Sequence, residues 1–251
     1  MAIVRFDQTA APELRDLATG GAVALWPVGS TEQHGSHLVT GFDLASATAV
    51  CERAAGACDA PIVLLPGLSL GASDHWLPLG ATLSLRPATL LTLLLDVIRS
   101  VEQAGFPRLV IVNGHAGNIG ALTAALGDTA SSQISVEVIS YWTLVDAARL
   151  AAACRVDAGG IGHAGEIETS IALALGGGLT VQERLPAPPG RPLQHGEPGG
   201  PATGVLRAPR PLVEAPGGVY GDPRPATAEL GEFVLHEAST ALARQLGRSG
   251  D

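Results

Sequence analysis

Ala22-Val23-Ala24-Leu25-Trp26-Pro27-Val28 runs directly into Gly29-Ser30-Thr31-Glu32-Gln33-His34-Gly35-Ser36-His37, with Asp43 close behind. The first stretch is uniformly apolar and reads as a buried strand. The polar cluster therefore sits at a strand's carboxyl end, the place where open α/β sheets bind ligands. Oxygen and nitrogen donors without thiolates suit Zn, Mn or Fe, and two such metals can share one bridging carboxylate. The stretch thus sets both a fold class and a chemistry.

Working outward, the pattern alternates helix and strand. A short helix over Ala11–Ala18 precedes the strand. Leu44–Ala57 carries good helix formers and leads to a strand at Ile62–Leu65. Pro87 opens a helix through about Gln103, since proline is tolerated in the first turn. Leu109–Val112 is a β-branched strand ending at Asn113-Gly114-His115. A helix over Ile119–Thr129 and a strand at Val136–Ser140 follow. This alternation predicts an α/β fold with a mostly parallel sheet and helices on both faces. Residues 1–251 read as one domain without internal repeats. Residues 181–225 are Pro- and Gly-rich and lack periodicity. A helix returns at 226–246, with Leu230, Phe233, Val234 and Leu242 as its apolar stripe. A long unstructured loop is uncommon inside a compact domain. The segment is therefore expected to be an ordered excursion over a site or subunit interface rather than a disordered linker.

Composition narrows the function. The chain is 46% hydrophobic and 16% charged, so it is not disordered. A net charge of −9 argues against nucleic-acid and anionic-membrane surfaces. Cys51, Cys58 and Cys154 have neither metal spacing nor an even count, and read as packing thiols. No basic segment followed by a long apolar one opens the chain, and Leu90–Leu95 is too short to span a membrane. A reducing cytoplasm is the expected location.

Three segments offer chemistry. Glu32 and His34 are two apart, so on an extended segment they face one cavity. Asp43 either closes over that cavity or caps the following helix. Asn113-Gly114-His115-Ala116-Gly117-Asn118 opens on the same side of the sheet. A capped strand–turn–helix junction explains most of it, but requires no histidine. Gly162-His163-Ala164-Gly165-Glu166-Ile167-Glu168-Thr169-Ser170 precedes an apolar helical run. There Glu166 is a dipole-stabilised surface residue, a cap or a metal ligand. His163 suits general acid/base work. His37, Asn113 and Glu168 are assigned to orienting the ligands from behind. Ser73 and His75, in Ser73-Asp74-His75-Trp76, are assigned to the pocket. His195 lies in the excursion, within reach of a neighbouring subunit's site, and His236 reads as structural or exposed.

Together these motifs resemble the creatininase (creatinine amidohydrolase) family, with weaker echoes at Gly80–Ser84, Ser140-Tyr141-Trp142 and Gly221–Glu229. The resemblance implies a three-layer α/β/α sandwich and a two-metal hydrolase acting on non-peptide C–N bonds of a small-molecule amide. It also implies two divalent ions per subunit (Zn, Mn or Fe) and a homo-oligomer, often a hexamer. Carried over, Glu32 and His115 bind one metal, His34 binds the other, and Asp43 bridges them. His163 is the catalytic acid/base.

Two departures separate the chain from creatininase itself. That enzyme has a metal-binding Glu two residues after the Asn-Gly-His histidine, where this chain has Gly117. Glu166 is expected to supply the missing carboxylate. A gating Trp of creatininase corresponds to Gly159, while Trp142 matches the other pocket tryptophan. A different or larger substrate than creatinine follows. The expected reaction is hydrolysis of a cyclic amide or formamide. A peptidase trimming a mycofactocin-type precursor and a non-catalytic metal-binding scaffold are the alternatives.

Overall fold

The structure, a computed structural model, describes residues 3–129, 132–156, 161–185, 188–190, 215 and 217–248. A five-stranded parallel sheet forms its centre, built from β1 (Val4–Arg5), β2 (Val23–Val28), β3 (Ile62–Leu64), β4 (Arg108–Asn113) and β5 (Ser135–Ser140). Their order across the sheet is β1-β3-β2-β4-β5. The α-helices are α1 (Ala11–Thr19), α2 (Phe42–Ala57), α3 (Pro87–Gln103), α4 (Ile119–Asp128), α5 (Ala147–Ala153), α6 (Glu166–Leu175) and α7 (Ala228–Leu246).

Side-chain alternation along the strands divides the core. Val23 and Leu25 of β2 and Val110 and Val112 of β4 face a cluster with Phe42, Val50, Ile167, Ile171, Val234 and Leu242, from α2, α6 and α7. Ala24, Trp26, Val28, Leu109 and Ile111 face the other way, onto Leu14, Leu90, Leu94, Ile98 and Leu122 of α1, α3 and α4. The architecture is therefore the expected three-layer α/β/α sandwich. Every residue of β2 and β4 is buried, as parallel strands covered on both faces require. Burying one side chain such as Leu25 or Ile111 stabilises by about 1.5–3 kcal/mol.

The chain leaves β2 through α2 on one face to β3, then crosses through α3 on the other face to β4, on the far side of β2. Connections thus diverge between β2 and β4, and the carboxyl ends there form the crevice where doubly wound sheets take ligands. Arg108 fastens the opposite end. Its buried guanidinium pairs with Glu137 at 2.6 Å and donates to the carbonyls of Gln245, Leu246 and Arg248 at the end of α7. A cation suits that helix terminus.

Some boundaries differ from expectation. β1 is two residues long and paired with β3, too short to leave a periodic signal. Helix α5 was not anticipated; Asp146 caps it, accepting from Arg149 N. Helix α2 begins at Phe42, so Asp43 lies within its first turn rather than capping it. Cys51 and Cys58 are free thiols buried in the core. No helix among the described residues is long and apolar enough to cross a membrane. Most of the Pro/Gly-rich excursion, with His195, and the Gly159 position lie outside the described residues.

Candidate metal centre

The crevice gathers Glu32, His34 and Asp43 from beyond β2, His115 from beyond β4, and His163 and Glu168 from the start of α6. All six are buried. Their proximity is built by backbone. The α2 amino terminus, carrying Asp43, lies directly on Gly114, where any Cβ would come within 2.3 Å of the Asp43 carbonyl. Only glycine permits that approach.

Two donor groups result, joined by one carboxylate. Asp43 Oδ2 lies 3.2 Å from His115 Nδ1, which is 3.3 Å from Glu32 Oε1. Asp43 Oδ1 lies 3.0 Å from His34 Nε2, which is 3.7 Å from Glu168 Oε2. Both Glu32 oxygens, His34 Nε2 and Asp43 Oδ2 are buried without a hydrogen bond. Buried polar atoms are nearly always paired, so these unpartnered atoms fit cation ligands.

The imidazoles are held by their far nitrogens. His34 Nδ1 donates to the Glu32 carbonyl at 3.1 Å, which leaves the Nε2 lone pair facing Asp43 and Glu168. His115 Nε2 donates to the Ala72 carbonyl at 3.2 Å and meets Ser73 Oγ at 3.1 Å, leaving Nδ1 for Glu32 and Asp43. Backbone acceptors thus fix the tautomer that a metal needs. Asn113 Oδ1 accepts from His115 N and from Asn118 Nδ2, holding the turn. Asn118 stands at the N-cap of α4 but its side chain makes no capping bond. Its side chain instead ties Ala72 N to the Gly29 carbonyl.

The protonation pattern without cations follows from three carboxylates crowded together. Unit charges about 4 Å apart repel by about 4 kcal/mol at an effective dielectric near 20. Burial drives Glu168 up to about 8. Burial opposes a charge on His34, but Asp43, Glu168 and Glu32 outweigh it and push the imidazole up to about 10. Burial likewise opposes a charge on His115, which Glu32 and Asp43 hold well above the ordinary histidine range.

His163 differs. Burial, aided by His34, drives it down to about 3, so it is neutral. Its Nε2 lies 2.8 Å from the Gln33 carbonyl, to which that nitrogen donates, and 3.0 Å from the Gln33 side-chain amide. Nδ1 then faces Glu32 Oε1 at 3.5 Å. The ring stacks on Trp76, with centroids 4.3 Å apart. His75, Trp76, Trp142, Ile161 and Tyr220 wall the cavity above the donors.

Three assignments from sequence need correction. Glu166 does not join the donors. Its carboxylate accepts from the backbone N–H groups of Arg155 (2.8 and 3.0 Å) and Val156 (2.8 Å), securing the turn after α5. Glu168, expected behind the ligands, is the carboxylate that faces His34. It is aimed by Ala164 N, which donates to Oε2 at 2.6 Å from a left-handed backbone with φ of 51°. Ser73 does not line the cavity. It is fully buried behind His115 and bonded to Ser30 Oγ at 2.6 Å. His75 and Trp142 do line the cavity, and His37 supports α6 through Thr169 at 2.9 Å. His236 is exposed. Trp76, Gln33 and Tyr220 were missed. Trp76 stood beside His75 in sequence, whereas nothing marked Tyr220, at the far end of the excursion.

Gly117 is where the resemblance to creatininase would place a further carboxylate. A Cβ there would lie 2.3 Å from the Ala72 carbonyl and 2.4 Å from His115 Nε2. The backbone contact that orients His115 therefore excludes a side chain at this point.

A model of the creatininase family, described as creatinine amidohydrolase, matches residues 7–246. A mycofactocin precursor peptide peptidase of Mycobacterium ulcerans (strain Agy99) is 34% identical over 232 residues, covering 89% of this chain and 84% of the relative. A creatinine amidohydrolase of Pseudomonas putida is 33% identical over 243 residues, covering 90% and 89%. Among solved structures, a creatinine amidohydrolase (creatininase) superposes with a TM-score of 0.79 at 29% identity, covering 98% of each chain. A manganese creatininase gives 0.76 at 26% identity, covering 97% of each. A zinc–zinc type creatininase mutant gives 0.75 at 28% identity, covering 98% and 97%.

Proposed function

The chain belongs to the creatininase family, and from that premise we propose that it hydrolyses a non-peptide C–N bond, in a cyclic amide or formamide, at a pair of divalent cations. The observation that carries this reading is the unpartnered donor set, in which the two oxygens of Asp43 serve two separate groups. Glu32, Asp43 and His115 would hold one cation, and His34, Asp43 and Glu168 the other. Zn, Mn and Fe all suit these donors. When bound, such ions lower the pKa of a water and polarise a carbonyl oxygen.

The chain's own residues supply the proton path. His163, being neutral, begins as an acceptor. Its Nδ1 takes the proton released by the attacking water and passes it to the leaving nitrogen. Gln33 and Trp76 fix that ring, so its reach does not vary between steps. Trp76, Trp142 and Tyr220 orient a flat, small amide and keep bulk water away.

Trimming of a mycofactocin-type precursor is the second reading, favoured by the similarly named relatives at 34% identity. One experiment separates these readings from a non-catalytic scaffold. The metal-reconstituted protein is measured for metal content and offered lactams, formamides and short peptides. About two ions per chain with turnover of a lactam or formamide is expected. Turnover of peptides alone would replace this reading by the second, and no metal uptake would leave the scaffold. His163→Ala should keep both ions and lose turnover; near-normal turnover would remove His163 from the mechanism.

A further inference from the structure

His75 is the cavity imidazole that the proposed reaction leaves without a task. Its donor nitrogen, a Glu32 oxygen and a His115 nitrogen lie within 4.8 Å of one another, a spacing that can hold one ion. Its ring is parallel to that of His115, with centroids 5.9 Å apart and an interplanar angle of 1°. Glu32 is 1% exposed and neither of its oxygens has a hydrogen bond. The segment carrying His75 is anchored: Ser84 Oγ donates to Asp74 Oδ1 at 2.6 Å and accepts from Ser73 N at 2.8 Å. Trp76, the next residue, is fixed against His163. Neither nitrogen of His75 is hydrogen-bonded among the described residues, unlike the far nitrogens of His34 and His115. It is half-buried at the cavity wall.

We propose that His75 is a further protein ligand to the cation held by Glu32, Asp43 and His115, completing four donors at that position while the second position has three. This rests on the two-metal reading above. Four protein donors close a tetrahedral site, whereas three leave it open. The asymmetry makes the His115 position the tighter, structural ion and the His34 position the exchangeable one.

The test titrates Co(II) alone into the metal-free full-length chain and follows ligand-field absorption and stoichiometry. Wild type, His75→Ala, His75→Phe and the exposed control His236→Ala are compared. His75→Phe keeps a ring against His115 but removes both nitrogens, and thermal melts establish that each variant folds. The expected result is two ions in wild type and control. In both His75 variants the tighter ion should weaken by more than the roughly 10–100-fold that loss of an outer-shell partner costs, with an altered absorption band. Two unchanged affinities and an unchanged band in either folded variant would overturn the assignment. No Co(II) uptake by wild type would overturn the two-metal reading and this one with it.

Discussion

Glu166 and Glu168 stand two residues apart at the start of α6, and the structure gives them separate tasks that substitution can separate. Glu166→Gln leaves one acceptor for the Arg155 and Val156 N–H groups and removes the charge that strengthens both bonds. A hydrogen bond to a charged group contributes about 1.5–3 kcal/mol. At about 2–4 °C per kcal/mol for a chain of this size, the melting temperature should fall by about 3–12 °C. Metal content should not change. Glu168→Gln should behave in the opposite way. Burial pushes the Glu168 carboxyl up to about 8, so in the metal-free protein at pH 7 it is already mostly protonated. A neutral amide of the same shape should barely move the metal-free melting temperature. It should, however, remove a charged donor from the His34 side. One of two ions should then be lost at metal concentrations close to that of the protein. Differential scanning calorimetry of the metal-free variants and elemental analysis of the reconstituted ones give the two readouts. An intact metal count in Glu168→Gln, with an ion missing from Glu166→Gln, would reverse the assignment and refute the reasoning.

Three further outcomes follow. In the metal-free chain His34 is raised to about 10, Glu168 to about 8 and His115 is also raised, so all three hold protons at pH 7. Cations must displace those protons, so affinity should rise with pH by about tenfold per unit for each proton displaced, levelling for Glu168 above about 8 and for His34 above about 10. Zinc added to weakly buffered protein should acidify it, and an unchanged pH indicator would contradict the donor set. Gly117→Glu should not restore creatininase-like ligation to a Glu168→Gln background. It should destabilise the chain, because its Cβ meets the Ala72 carbonyl; a stable double variant with two ions would show that the loop yields. Ser73→Ala removes the hydroxyl beside His115 Nε2 and should weaken metal binding by roughly 10–100-fold with little change in fold, as read by chelator competition.

The sheet and most of the centre were legible because β2 and β4 are covered on both faces. Their unbroken apolar runs stop where polar motifs begin, so strand and site announce each other. What the sequence could not show was direction. Residues two apart on a helix are rotated by about 200°, so Glu166 and Glu168 point to opposite sides. Which one meets His34 depends on the left-handed turn at Ala164, set by tertiary packing rather than by local pattern. Ser73 was misassigned for a similar reason. It neighbours His75 in the chain, yet Ser30 and His115 draw it beneath the donors. Asp43 resembled a cap because carboxylates favour helix starts, and the close approach at Gly114 became visible only in three dimensions.

That approach has a mechanical consequence. Asp43 belongs to the first turn of a sixteen-residue helix whose buried face, from Phe42 through Ala47 and Val50 to Ala54, is keyed into the core. Close-packed interiors transmit strain instead of absorbing it. The spacing between the two donor groups is therefore gauged by the packing of α2 as a rigid strut. Substitutions far down its length, remote from any reacting atom, become a means of tuning the centre.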